Sequence, residues 1–329
     1  MDSDIDEFRD QMNQMVLTSN EFQDHIQSLP CEIGMTSDPL YLYKGFWYNL
    51  ISLKGSIASQ GQFEAQPTDV IVVTPPKSGT TWLKSLVFAI TQRTHYPISD
   101  PNHPLMKNNP HSLVPFLHRL YVTKEDLTAV SSDNSPRLFA VHVPYSMLPD
   151  SVRASKCRIL YMCRNLKDVF VSMWYFGKNV LPNSETLEKA FEKFCKGIVW
   201  NGPLWDQAVE YWKMSLVKPE EVLFLKFEDL KVDTTNHLKR MAEYLGCPFS
   251  DEEERQGVIE GIEKICSFQH LSNLEVNKTV GNRCLAGAEN SYFFRKGEVG
   301  DWMNLLTPSM AERLERVVEE KLQGSGLTM

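Results

Sequence analysis

Residues 69–90, DVIVVTPPKSGTTWLKSLVFAI, constrain the fold more than any other stretch, because they read as a buried strand, a tight loop and a helix in immediate succession. Val70, Ile71, Val72 and Val73 form a β-branched run suited to a strand covered on both faces. Pro75 and Pro76 end it, since proline has no amide proton for a sheet ladder. A helix then opens at Thr80 and Thr81. Its first amides have no partner within the helix, its dipole is positive at that end, and Gly79 lets a ligand approach the backbone closely. Lys77 adds a full positive charge at the mouth. A short glycine-containing loop alone would be an ordinary connection, but proline, lysine, serine, glycine and two threonines in one block point to an anion. The lysine precedes the glycine, and no glycine stands five positions before Gly79, so the block is not GxxxxGK[ST]. A phosphate fits it better than Mg-ATP does.

Apolar runs at residues 137–143, 157–163 and 222–227 supply three further strands, with helices expected over 167–178, 185–199, 203–216, 234–245 and 251–263. Such alternation favours one α/β domain, a parallel β-sheet flanked by helices on both faces with right-handed crossovers and a P-loop-like anion loop. With 329 residues, 42% of them hydrophobic, the chain can bury the core this needs. Residues 1–20 read as a polar tail and 21–329 as the domain. The formal net charge of −8 argues against a general affinity for nucleic acid or anionic membrane, so an anionic ligand has to be met by placed cations. The acidic start MDSDIDE is unlike a secretory signal and no apolar run spans a bilayer, so a soluble, cytoplasmic protein is expected. Seven cysteines without a CxxC pair predict reduced thiols, and the absence of HExxH predicts no metal site. The sequon at 277–279 would then stay unmodified.

His142 falls at the carboxyl end of the 137–143 strand, the edge where ligands sit in open parallel sheets; a core histidine bonded to a carbonyl is the alternative reading. Arg164 leaves its strand as Lys77 leaves the first one. The aromatic cluster at 41–48, YLYKGFWY, suits core or a lid, and residues 91–121, rich in proline, asparagine and histidine, read as an ordered loop with short helical turns. The acidic run at 251–254 is more readily a solvated helix face than a metal site.

Seven phrases in order, from about residue 38 to 322, resemble the plant cytosolic sulfotransferases, which use 3′-phosphoadenosine 5′-phosphosulfate (PAPS): PPKSGTTW (75–82), NNPHSLVPFL (108–117), VHVPYSMLP (141–149), CRNLKDVFVSMWYF (163–176), NGPLWDQAVEYW (201–212), CSFQHLSNLEVN (266–277) and FFRKGEVGDWMN (293–304). The first resembles the phosphosulfate-binding loop, which implies donor contacts from Lys77, Ser78, Gly79, Thr80, Thr81 and Trp82. By the same resemblance Arg164, Ser172, Arg295, Lys296 and Gly297 would hold the 3′-phosphate, and Asn201, Cys266, Ser267 and Phe268 would meet the adenosine. Trp82 and Phe268 each offer an aromatic face for the purine. The aromatic region at 41–48 would line the acceptor pocket.

The implied reaction is sulfuryl transfer from PAPS to a hydroxyl of a small, largely apolar acceptor, leaving adenosine 3′,5′-bisphosphate (PAP) and requiring no metal. His142 would be the base, and Lys77 would stabilise the leaving group. The acceptor could be a flavonoid, a steroid-like compound or another plant metabolite. Six positions depart from the family wording: His118 replaces an acid, Val141 a threonine, Tyr175 a histidine, Asn201 a tyrosine, Gln207 a histidine and Met303 a lysine. Two alternatives stay open: a catalytically impaired PAP- or PAPS-binding protein, and a P-loop kinase-like phosphotransferase.

Overall fold

The computed structural model describes residues 26–123, 136–180, 185–278, 283–285 and 288–329. The expected tail at 1–20 and Thr279 of the sequon lie outside the described residues. A four-stranded parallel sheet carries the fold: β4 (Val70–Val73), β5 (Leu138–Val141), β6 (Arg158–Cys163) and β7 (Val222–Lys226), in the order β5-β4-β6-β7. Three short antiparallel strands, β1 (Cys31–Ile33), β2 (Pro39–Tyr43) and β3 (Phe46–Tyr48), form a separate sheet before it.

Each central strand divides its side chains between two cores. Ile71, Val73, Phe139, Val141, Ile159, Tyr161, Val222 and Phe224 belong to one cluster, whereas Val70, Val72, Leu138, Ala140, Leu160, Met162, Leu223 and Leu225 belong to the other. Successive residues of a strand point to opposite faces, so unbroken apolar runs are what a sheet covered on both sides requires. The Thr80–Gln92 helix packs in the second cluster through Leu83, Leu86, Val87 and Ile90. The Leu166–Val180 and Leu204–Val217 helices pack in the first, where Tyr161 stacks on Tyr211 at 4.3 Å.

The chain leaves β4 for β5 on one side and returns to β6 on the other, so the strand order reverses at β4. A crevice opens outside the carboxyl ends of strands at such a point. Lys77 follows β4, His142 follows β5 and Arg164 follows β6 directly at this edge.

The aromatic cluster folds into the β2–β3 hairpin around Lys44 and Gly45, whose φ values are 49° and 85°, the positive pair that a two-residue hairpin turn needs. Phe46 and Tyr48 are buried as core, and Tyr41 faces the cavity described below. The hairpin exchanges backbone bonds with Asn201 and Gly202, at 2.7 and 2.6 Å through Trp47. The expected 251–263 helix is instead two, Asp251–Arg255 and Val258–Ile265, because Gly257 between them adopts φ 72°. The acidic run caps and anchors: Ser250 and Glu253 close a capping box, and Glu253 accepts from Arg93 Nε at 2.6 Å. The 91–121 region holds three short helices, Pro104–Lys107, Pro110–Leu113 and Leu117–Thr123.

Candidate active site

A cavity of about 600 Å³ opens at the carboxyl edge of the sheet. All the predicted site residues line it except Ser78, which is fully buried with its hydroxyl unpartnered among the described residues. Tyr175, one of the six departures from the family wording, is outside the lining; its ring lies under the Arg295 guanidinium at 5.1 Å.

The loop after β4 needs its glycine for two reasons. Gly79 caps the Thr80–Gln92 helix at φ 97°, and a Cβ there would come within 2.8 Å of the Phe227 ring and 2.9 Å of Met162. Thr80 and Thr74 share a hydrogen bond of 2.6 Å that ties the helix start to the strand end. The Lys77 ammonium lies 3.8 Å over the Phe176 ring and 5.5 Å from that of Phe293. Burial, with Arg295 and Arg164 nearby, pulls its pKa down to about 7.

His142 projects from the next strand end. Its Nδ1 lies 2.6 Å from the Thr74 carbonyl oxygen, which can only accept, so Nδ1 carries the proton and Nε2 keeps a free lone pair. Gln207 donates to the His142 carbonyl at 2.5 Å, so the two sides of the residue are fixed without the hydroxyl that Val141 lacks. Burial lowers the His142 pKa to about 3 against the opposing bond to Thr74, helped by His118, Lys84 and Lys77. Burial brings His118 down to about 4 as well. The imidazole is therefore neutral at ordinary pH.

A second cationic group lies where the Leu166–Val180 helix meets the C-terminal segment. The Arg164 guanidinium donates to the Glu298 carbonyl at 2.5 Å, lies 3.4 Å from Asp168 and covers the Phe227 ring at 4.5 Å. Asp168, fully buried, accepts from the Gly300 and Trp302 amides at 2.9 and 3.0 Å and so ties that segment to the helix. Asp301 pairs with both Arg295, at 2.5 Å, and Lys296, at 2.6 Å. Burial pushes its carboxyl up, but hydrogen bonds from Lys296, Asn304 and Arg295 outweigh that and hold it at about 2. Ser172 lines the cavity from the helix, and Gly297, at φ 66°, lies so close under Phe268 that a Cβ would fall 2.6 Å from the ring.

The aromatic residues occupy a third region. Trp82 meets Phe227 edge to face at 5.4 Å, with the Lys231 ammonium 5.4 Å over the Trp82 ring; Phe268 meets Phe294 at 6.2 Å. Trp82 and Phe268 thus each have a ring partner other than the other. Ser267 caps the Phe268–Asn273 helix and donates to the Lys264 carbonyl, while the Cys266 thiol is buried and pushed up to about 12. Asn201 is held at φ 59°, a left-handed conformation that asparagine tolerates, with its side-chain amide nitrogen unpartnered among the described residues.

The donors fit a ligand with two phosphates. A lysine and a helix N-terminus stand at one end, and two arginines and a lysine at the other, with Arg164 Nε and Arg295 Nε unpartnered among the described residues. Among the described residues, no three histidine, cysteine or acidic side chains are grouped to hold a metal ion, and no helix is long and apolar enough to cross a membrane.

Several residues that build the site were not singled out from the sequence. Asp168 stands one helical turn after Arg164 and Asp301 within the GDW triplet, spacings that could have suggested them. Phe227, Phe176, Phe293, Lys84 and His111 have no such local sign.

A profile for the sulfotransferase domain matches residues 67–326. Cytosolic sulfotransferase 12 of Arabidopsis thaliana is 47% identical over 306 residues, covering 92% of each chain, and cytosolic sulfotransferase 15 of the same plant is 44% identical over 94% of this chain and 87% of its own. The crystal structure of an Arabidopsis thaliana protein proposed to be a steroid sulphotransferase superposes with a TM-score of 0.74 at 41% identity, covering 93% of this chain and 94% of its own. A mouse sulfotransferase complexed with PAP gives 0.66 at 27% identity, over 87% of this chain and 95% of its own. On sequence, fold and site geometry together, the chain belongs to the sulfotransferase family.

Proposed function

We propose that this sulfotransferase moves a sulfuryl group from PAPS to a hydroxyl of a small, largely apolar acceptor in the cytosol. The observation that carries the reading is the placement of Lys77 and His142 in one cavity, with the imidazole Nε2 left free by the bond from Nδ1 to Thr74. The relatives are named cytosolic sulfotransferases and the mouse structure holds PAP, which supports both donor and compartment.

In this mechanism His142 Nε2 takes the acceptor hydroxyl proton as the oxygen bonds to sulfur. The bond from sulfur to the bridging oxygen breaks, and its electron pair stays on the 5′-phosphate of PAP, where Lys77 meets the developing charge. Gly79, Thr80 and Thr81 surround that phosphate, with Ser78 buried behind them in the loop; Arg164, Ser172, Arg295, Lys296 and Gly297 take the 3′-phosphate. Trp82, Asn201, Cys266, Ser267 and Phe268 border the adenosine, and Tyr41, Phe116, Phe176 and Phe293 give the acceptor aromatic walls. The support that His142 receives from Thr74 and Gln207 favours an active enzyme over a mere PAP-binding protein.

The test is turnover of sulfur-labelled PAPS with a panel of flavonoids, steroids, hydroxylated oxylipins and thiohydroximates, with and without ATP and magnesium. Labelled product formed from PAPS alone is the expected result. Transfer that demanded ATP, or PAP binding with no transfer to any acceptor, would overturn it in favour of a kinase-like or a binding function.

A further inference from the structure

Lys84 is fully buried, and the proposed transfer gives it no direct contact with donor or acceptor. Its ammonium lies 3.5 Å over the Phe116 ring, a contact that favours the charged form, and 3.0 Å from His111 Nδ1. The other ring nitrogen of His111, Nε2, lies 3.0 Å from the Thr81 hydroxyl. Thr81 and Lys84 are one helical turn apart, so a single imidazole can bridge them. His111 is also held through its backbone: the Asn109 side chain accepts from its amide at 2.9 Å and donates to Asn277 at 2.8 Å, and Asn277 donates to the Leu271 carbonyl.

The directions of these bonds follow from what each group can offer. An ammonium only donates, so Nδ1 of His111 accepts and its proton resides on Nε2. That proton is donated to the Thr81 oxygen. The Thr81 hydroxyl hydrogen must then point elsewhere, and Thr81 lines the cavity at the helix N-terminus. Burial, aided by Lys84, His142, Lys77 and Arg119, holds the His111 pKa well below the usual imidazole value and keeps the ring neutral, as this arrangement needs.

We propose that Lys84 and His111 are positioning residues that fix the Thr81 hydroxyl as a hydrogen-bond donor to the phosphosulfate end of the nucleotide. The assignment rests on the donor reading above, but it concerns binding of the nucleotide and not its transfer. A hydroxyl free to turn would present a lone pair to the anion in part of the population. With its oxygen already accepting from His111, Thr81 is preset to donate.

Two measurements test this. In the ligand-free protein, nitrogen NMR of labelled histidine should show His111 protonated at Nε2 and not at Nδ1. Calorimetric titration with PAP should give affinities about tenfold or more weaker for Lys84→Met and for Thr81→Val, the scale of one charge-assisted hydrogen bond. The double variant should bind within about twofold of Thr81→Val alone, because Lys84 acts through that hydroxyl. A proton on Nδ1, or losses that simply add, would overturn the relay. Should Lys84→Met fail to fold, the tautomer of the wild-type protein still decides the question. PAP binding needs no acceptor, so failure to transfer sulfate leaves this test intact; a wild-type protein that did not bind PAP would instead defeat the donor reading.

Discussion

The pH dependence of catalysis should show an alkaline limb set by a lysine. On the proposed mechanism His142 would work as a base when neutral, hence above its pKa of about 3, and Lys77 would neutralise the leaving group when charged, hence below its pKa of about 7. In the free enzyme the productive window lies between these values, and its acid side lies below the range of ordinary assays. At about pH 9, two units above the Lys77 value, only about 1% of the free enzyme retains the ammonium. One electrostatic donor to a transition state is worth about 2.7 to 4 kcal/mol, or a factor of about 10² to 10³, so the neutral form contributes little. Accordingly kcat/KM for PAPS should fall about a hundredfold from plateau to about pH 9, with a slope near minus one. At saturating PAPS the donor's charge lifts the lysine pKa, so kcat should hold over the same range. The assay is initial rates at limiting and saturating labelled PAPS, repeated with Lys77→Arg, whose guanidinium stays charged throughout. That variant also controls for ionisation of the donor. A flat wild-type profile, or a limb that persists in Lys77→Arg, would refute the assignment.

His142→Ala should abolish transfer while PAP affinity, measured calorimetrically, stays within a few-fold of wild type; retained turnover would remove His142 as the base. Arg164→Ala and Arg295→Ala should weaken PAPS binding by about tenfold to a hundredfold but adenosine 5′-phosphosulfate binding far less, since only the first ligand carries the 3′-phosphate. Equal losses for both nucleotides would show that these arginines do not read that group. Gly55→Ala should destabilise the protein by about 1–3 kcal/mol, because its Cβ would overlap the His118 carbonyl where the Leu50–Gln62 and Leu117–Thr123 helices cross. A melting temperature unchanged in a thermal scan would contradict that packing.

The parts written in contiguous residues were legible in advance. The expected parallel sheet is present, with β4 at the expected bounds and β6 within one residue, because unbroken β-branched and apolar runs specify a strand buried on both faces. The turn from β4 into the Thr80–Gln92 helix was readable because its prolines, glycine and threonines adjoin a strand end. The break at Gly257 escaped because helical periodicity continues across it, and only the backbone reveals the left-handed turn. Lys84 escaped for a related reason: a lysine in an amphipathic helix reads as its solvated face. The loop around Phe116, which pairs with Ala140 at the edge of the sheet, covers it. Asp168 and Asp301 were not singled out because the amides and cations they hold lie far off in the chain or are joined to them only by the fold.

Asp168 also bears on how this architecture can change. Its carboxylate joins the helix that carries Ser172 to amides 132 and 134 positions farther along the chain. In an unfolded polymer the entropy of closing such a circuit grows only with the logarithm of its contour, about 0.6 kcal/mol for each doubling. Segments inserted at the surface between the two anchors are therefore tolerable, whereas one buried carboxylate replaced by a group that cannot accept leaves two amides stranded at the cradle. Length between the anchors is free to drift over evolutionary time, and the knot that ties its ends is not.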